Sequence, residues 1–95
     1  MAAEPSPRGV AALDHAGRRT WLIHTLRGLS PDFAGEIIDD TPLADGGLGL
    51  DSLGLIDLVS AMEEQIGVTV TESELTDDHF GSVERVLSLI GARLG

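Results

Sequence analysis

The chain has 95 residues, 42% of them hydrophobic but only 3% aromatic, and a formal net charge of −10 from sixteen acids against six arginines. One domain with an aliphatic, helix-favouring core is the expectation, and a surface this acidic repels nucleic-acid phosphates and anionic membranes alike. Cysteine and lysine are both missing, which excludes disulfides, cysteine-ligated metals and a P-loop.

Residues 1–11 are small, proline-containing and unpatterned, and read as a flexible N-terminal tail ahead of a domain spanning 12–95. This start lacks the apolar stretch of a signal peptide, and no apolar run reaches the length of a membrane span, so a cytoplasmic protein is expected. The initiating Met and short tail suit a free-standing chain. A helical pattern runs from about Leu13 to Leu29, with Leu22, Leu26 and Leu29 on one face, and Ser30-Pro31 ends it. Residues 30–50 then form a connection longer than most loops, punctuated by Pro31, Gly35, Pro42, Gly46, Gly47 and Gly49. Ile37, Ile38, Leu43, Leu48 and Leu50 are its candidate anchors to the core.

A second helix is predicted over Ser52–Ile66, stopped by Gly67. The segment "VTVTESEL" offers a short strand with no partner to pair with, so it is read instead as an approach to a short helix at about Glu72–Thr76. Thr71 and Glu74 stand at capping-box spacing for that helix. Ser82 caps a last helix whose apolar stripe is Val83, Val86, Leu87, Ile90 and Leu94. The predicted class is all-α: a small four-helix bundle of three main helices and one short one, with a long first loop.

At about 100° per residue, the second helix has two apolar sectors. Leu55, Leu58, Val59, Met62 and Ile66 make a core face. The adjacent arc carries Ser52, Leu53, Ile56, Asp57, Ser60, Glu63 and Glu64, where aliphatics stand among acids with a serine at the head. A solvated face does not need Leu53 and Ile56, which makes this arc a candidate binding face. Ser52 itself has two readings. It can cap the helix by accepting a backbone N–H, with Asp51 doing the same or offsetting the dipole. Alternatively, the helix N-terminus can favour a phosphate attached to its hydroxyl.

Catalytic patterns do not fit. A nucleophile elbow needs a glycine where Leu50 stands. The order Ser52, Asp57, His79 imitates a hydrolase triad, but Asp57 lies on the same helix and no sheet is expected to hold an elbow. Asp39, Asp40, Asp45 and Asp51 miss EF-hand spacing, and His15, His24 and His79 lie apart, so no metal site is expected. Trp21 reads as a packing residue.

"LGLDSL" followed by "IDLVSAMEEQIGVTV", closed by "DHFGSVERVLSLI", resembles the acyl carrier proteins of fatty-acid and polyketide synthesis and their aminoacyl-carrying relatives. The likeness runs from about Arg18 to Leu94. It implies a carrier with no catalytic residues, bearing a 4′-phosphopantetheine arm from coenzyme A on Ser52, next to Asp51, and holding cargo as a thioester. On the resemblance, Leu53, Ile56, Asp57, Ser60, Glu63 and Glu64 match the face that partner enzymes read, although Ser60 replaces a frequent large apolar residue. The connection before Ser52 is also slightly longer than in fatty-acid carriers.

The implied partners are a phosphopantetheinyl transferase, which must supply a base and a divalent metal, and enzymes of acyltransferase, ligase or ketosynthase type with basic docking patches. The carrier itself is expected to be a monomer. These departures and the lysine-free composition tilt the expectation toward polyketide or other secondary-metabolite biosynthesis. An aminoacyl or peptidyl carrier loaded by an adenylating enzyme, or a fatty-acid carrier, is the alternative.

Overall fold

The computed structural model describes residues 14–94. Within them four α-helices follow one another: α1 (His15–Leu29), α2 (Ser52–Ile66), α3 (Asp77–Phe80) and α4 (Val83–Leu94), with a 3-10 turn at Glu72–Glu74 before α3. No strand forms among the described residues, only an isolated antiparallel bridge between Pro42 and Ser82. The fold is the all-α four-helix bundle expected from the sequence. The expected tail at residues 1–11 lies outside the described residues.

Local chemistry explains where the long helices begin and end. Asp14 caps α1 by accepting the Gly17 N–H at 2.9 Å. Gly67 ends α2 with φ of 70°, a left-handed conformation that favours glycine, and Val68 N–H then donates back to Met62 O at 3.0 Å. Ser82 Oγ accepts the Arg85 N–H at 3.3 Å at the head of α4. α1 packs against both α2 and α4, and α3 packs against α4.

The core is aliphatic. Leu22 and Leu26 of α1, Leu58, Met62 and Ile66 of α2, and Val83, Val86, Leu87 and Ile90 of α4 are buried together with Val68, Val70 and Phe80. Burial of each such side chain stabilises the fold by roughly 1.5–3 kcal/mol before entropy is charged against it. Leu55, Val59, Leu94 and Trp21 pack half-buried around this centre. The Trp21 indole N–H also donates to Gln65 Oε1 at 3.0 Å, tying α1 to α2.

The connection from residue 30 to 51 has no regular structure, yet it is held along its length. Ile37, Leu43, Leu48 and Leu50 are buried as expected. Leu48 N–H donates to Pro42 O (2.9 Å) and Leu50 N–H to Leu43 O (2.8 Å). Its carbonyls also serve α4: Val83 N–H donates to Thr41 O (3.2 Å) and Glu84 N–H to Asp39 O (3.0 Å). Two donors that a helix N-terminus leaves over are thereby satisfied.

The Arg27 guanidinium donates to Phe33 O (2.9 Å) and Gly35 O (3.0 Å) and stands 5.9 Å over the Phe33 ring. An ion pair joins Arg19 to Asp39, and the hydrogen bond from Arg19 holds the Asp39 carboxyl below its ordinary range. Gly47 leaves no room for a side chain without a shift of the backbone, since a Cβ on it would lie 2.1 Å from Pro42 O.

The structure corrects three expectations. Ile38 is not an anchor but 51% exposed, because Ile37 takes the inward position and its neighbour points away. The short helix at Glu72–Thr76 is instead two pieces, the 3-10 turn and α3. The capping-box contact is present, with Thr71 N–H donating to Glu74 Oε1 at 2.9 Å, and this bond is the main cause of a lowered Glu74 carboxyl pKa. The turn stops at Leu75, and extended Thr76 (φ −129°, ψ 168°) opens α3 with Asp77 and Asp78 at its favourable end. Leu89, outside the expected stripe, is also buried; at about 100° per residue it lies beside Val86 at the edge of that stripe.

Candidate functional site

The site is assembled at the head and along the outer face of α2. Asp51 occupies the N-cap, with extended backbone (φ −96°, ψ −168°), and its Oδ1 accepts the Gly54 N–H at 2.9 Å. Ser52 is therefore the first residue inside the helix rather than its cap. Capping, one of the two roles the sequence leaves open for this serine, falls to its neighbour. The Ser52 side chain is exposed, and its hydroxyl makes no hydrogen bond among the described residues.

The chain reaches this point along a defined track. Leu50 is buried and its N–H is bonded to Leu43 O, while Gly49 turns the backbone at φ of 73°. Gly54 fits closely beneath: an added Cβ would lie 3.2 Å from Leu50 Cδ2 and 3.6 Å from Asp51 Oδ1. Neither Leu50 nor Gly54 was singled out from sequence as shaping the site. The available signal was a glycine placed three residues after a cap-competent acid.

Every residue expected on the outer face is exposed: Ser52, Leu53, Ile56, Asp57, Ser60, Glu63 and Glu64. Leu53 is 69% and Ile56 51% exposed, whereas Leu58, one step round the helix, is 0% exposed. With Ile38 these are the large hydrophobics left open among the described residues. α2 contains no basic residue, and Glu63 and Glu64 stand in its last turn. Negative charge there opposes the helix dipole, so these acids do not stabilise the helix that carries them. The arrangement presents an apolar centre with acids beside it and a hydroxyl at one end. No hydrogen bond joins Ser52, Asp57 and His79 among the described residues.

Basic groups are turned to other uses. Arg19 pairs with Asp39, Arg27 holds the loop carbonyls, Arg85 donates to Asp78 O at 3.4 Å, and Arg93 pairs with Glu74.

A family model described as "Phosphopantetheine attachment site" matches residues 25–90, a span that contains the whole of α2. No curated protein matches the sequence. Among solved structures, the chain is similar to one in the Bradyrhizobium japonicum glycine:[carrier protein] ligase complexed with glycylated carrier protein. That match has 25% identity and a TM-score of 0.65, covering 76% of this chain and 96% of that one. A second similar chain comes from a structure described as an FAD-dependent dehydrogenase, at 32% identity and a TM-score of 0.64, covering 74% of this chain and 99% of that one.

Proposed function

We propose that this chain, which belongs to the phosphopantetheine-attachment family whose model spans residues 25–90, carries its 4′-phosphopantetheine on Ser52 and delivers acyl groups to enzymes that dock on the outer face of α2. The family fixes the covalent group and the carrier role. The observation that carries the residue assignment is the exposed Ser52 hydroxyl, which no hydrogen bond engages among the described residues, at the head of a face of acids and open aliphatics. Its exposure leaves room for a phosphodiester there, and the helix N-terminus favours the negative charge it brings.

The arm supplies a terminal thiol, which this cysteine-free chain lacks, for holding cargo as a thioester. On attachment, Ser52 Oγ gives its proton to a base of the transferase and bonds the phosphorus that links pantetheine to the nucleotide. The bond from that phosphorus to adenosine 3′,5′-bisphosphate breaks, and the nucleotide leaves. Asp57, Glu63 and Glu64 draw basic enzyme surfaces toward the site, and Leu53 and Ile56 supply the short-range contact. Docking of this kind is brief, as a shuttle requires. Tethering raises the cargo's effective concentration at each enzyme visited.

Intact-protein mass after incubation with coenzyme A and a broad-specificity phosphopantetheinyl transferase tests the assignment. A gain of one arm is expected in the wild type and none in Ser52→Ala; a gain that survives the substitution sinks it.

For the cargo, we favour a polyketide-type or other secondary-metabolite acyl group, on the departures from fatty-acid carriers at Ser60 and in the long loop. A second reading, an aminoacyl carrier, is favoured by the likeness to the glycylated carrier protein. The two part on loading: an acyltransferase with an acyl-coenzyme A serves the first, and an ATP-dependent amino-acid ligase serves the second.

A further inference from the structure

We propose that Asp51 is a positioning residue for the modification: by holding the N-cap it keeps the Ser52 hydroxyl out of the helix's own hydrogen bonding. This rests on Ser52 being the attachment residue. Asp and Ser are both strong N-caps and stand side by side here, so two helix registers compete for one slot. In the observed register Asp51 Oδ1 accepts the Gly54 N–H (2.9 Å) and Leu55 N–H donates to Asp51 O (2.9 Å), which starts the helix at Ser52.

In the rival register the helix starts one residue later. Ser52 becomes extended, and its Oγ accepts the Leu55 N–H in place of the Asp51 carbonyl. That oxygen is then folded over the first turn with a lone pair engaged, poorly placed to attack phosphorus.

Three features select the observed register. A carboxylate at the cap also gains from the helix dipole, which a hydroxyl does not. Gly54 lets Leu50 pack closely beneath the cap, since a Cβ there would lie 3.2 Å from Leu50 Cδ2 and 3.3 Å from Leu50 Cβ. Leu50, buried and hydrogen-bonded to Leu43 O, fixes the chain immediately before the cap. The charge of Asp51 is thus secondary to its capping geometry, and asparagine, an equally good cap, should replace it.

Amide hydrogen exchange of the full chain, free of the arm, reads the register directly. Protection at Gly54 is expected to fall about fivefold in Asp51→Ala, the exchange equivalent of one lost cap. Leu55 should stay protected in that variant, because Ser52 Oγ takes over, and lose protection in the double variant Asp51→Ala/Ser52→Ala. Ser52→Ala alone should leave both amides as in the wild type.

Transfer kinetics read the consequence. The kcat for phosphopantetheine transfer should drop in Asp51→Ala and return to within about twofold in Asp51→Asn, a difference well under one cap's worth of free energy. Only KM should rise in the asparagine variant. The proposal is overturned if Asp51→Asn loses kcat as fully as Asp51→Ala, or if Leu55 opens equally in Asp51→Ala and the double variant. A wild type that gains no arm, or a Ser52→Ala chain that does, instead overturns the assignment of Ser52, while the exchange data still decide the register.

Discussion

The connection at residues 30–51 and the outer face of α2 invert the usual relation between regularity and function. The connection has no repeating structure, but several of its carbonyls and all its large aliphatics except Ile38 are committed inward, to Arg27, to α4 and to the core. The helix is regular, but one of its faces is turned to solvent among the described residues: open aliphatics, acids against the dipole and a hydroxyl that none of those residues bonds. An irregular segment can therefore be scaffold, and a regular one can carry the working surface. What separates them is where their bonding capacity is spent.

Three substitutions break or sharpen this contrast. The largest loss of stability belongs to the inner side of α2. Leu58→Ala should cost roughly 2–5 kcal/mol, the usual range for emptying a filled core site, measured as a lowered urea midpoint. The connection should come next. Gly47→Ala forces a methyl against Pro42 O, and a loss of about 1–3 kcal/mol is expected, as for other overpacked sites. Wild-type stability in that variant would show the loop to be looser than its hydrogen bonds indicate. The outer face should lose least: Ile56→Ala should fall within about 0.5 kcal/mol of wild type, as exposed positions do. The same variant should slow transfer of cargo to a partner enzyme, read as a raised KM for the carrier. A marked shift of its unfolding midpoint would make Ile56 a core residue and dissolve the contrast.

The legibility of these regions in the sequence follows the same divide. α2 could be read to within about a residue at its head, because fifteen positions of helical period and a terminal glycine point to one answer. Both of its faces followed from the same angle count. The connection could be read only in part. Adjacent Ile37 and Ile38 have no period to rank them, so which one turned inward depended on tertiary fit. The split between the 3-10 turn and α3 was hidden because each piece is too short to show a period, and Leu89 because it lies at the edge of the stripe rather than within it. At the site, the serine was evident but its register was not. Asp51 and Ser52 have nearly equal claims to the cap, and it is the Gly54 N–H bond to Asp51 Oδ1 in the folded chain that tells them apart.

Arg19, Arg27, Arg85 and Arg93 each close a contact inside the fold, while the acids of α2 have no cation on their own helix. Dissolved electrolyte should therefore act unevenly on this molecule. Ions that shorten the screening distance to about 8 Å at physiological strength weaken attraction across open water far more than groups already in contact. Raising the salt should first slow the rate at which enzymes find the carrier, long before it loosens the carrier itself.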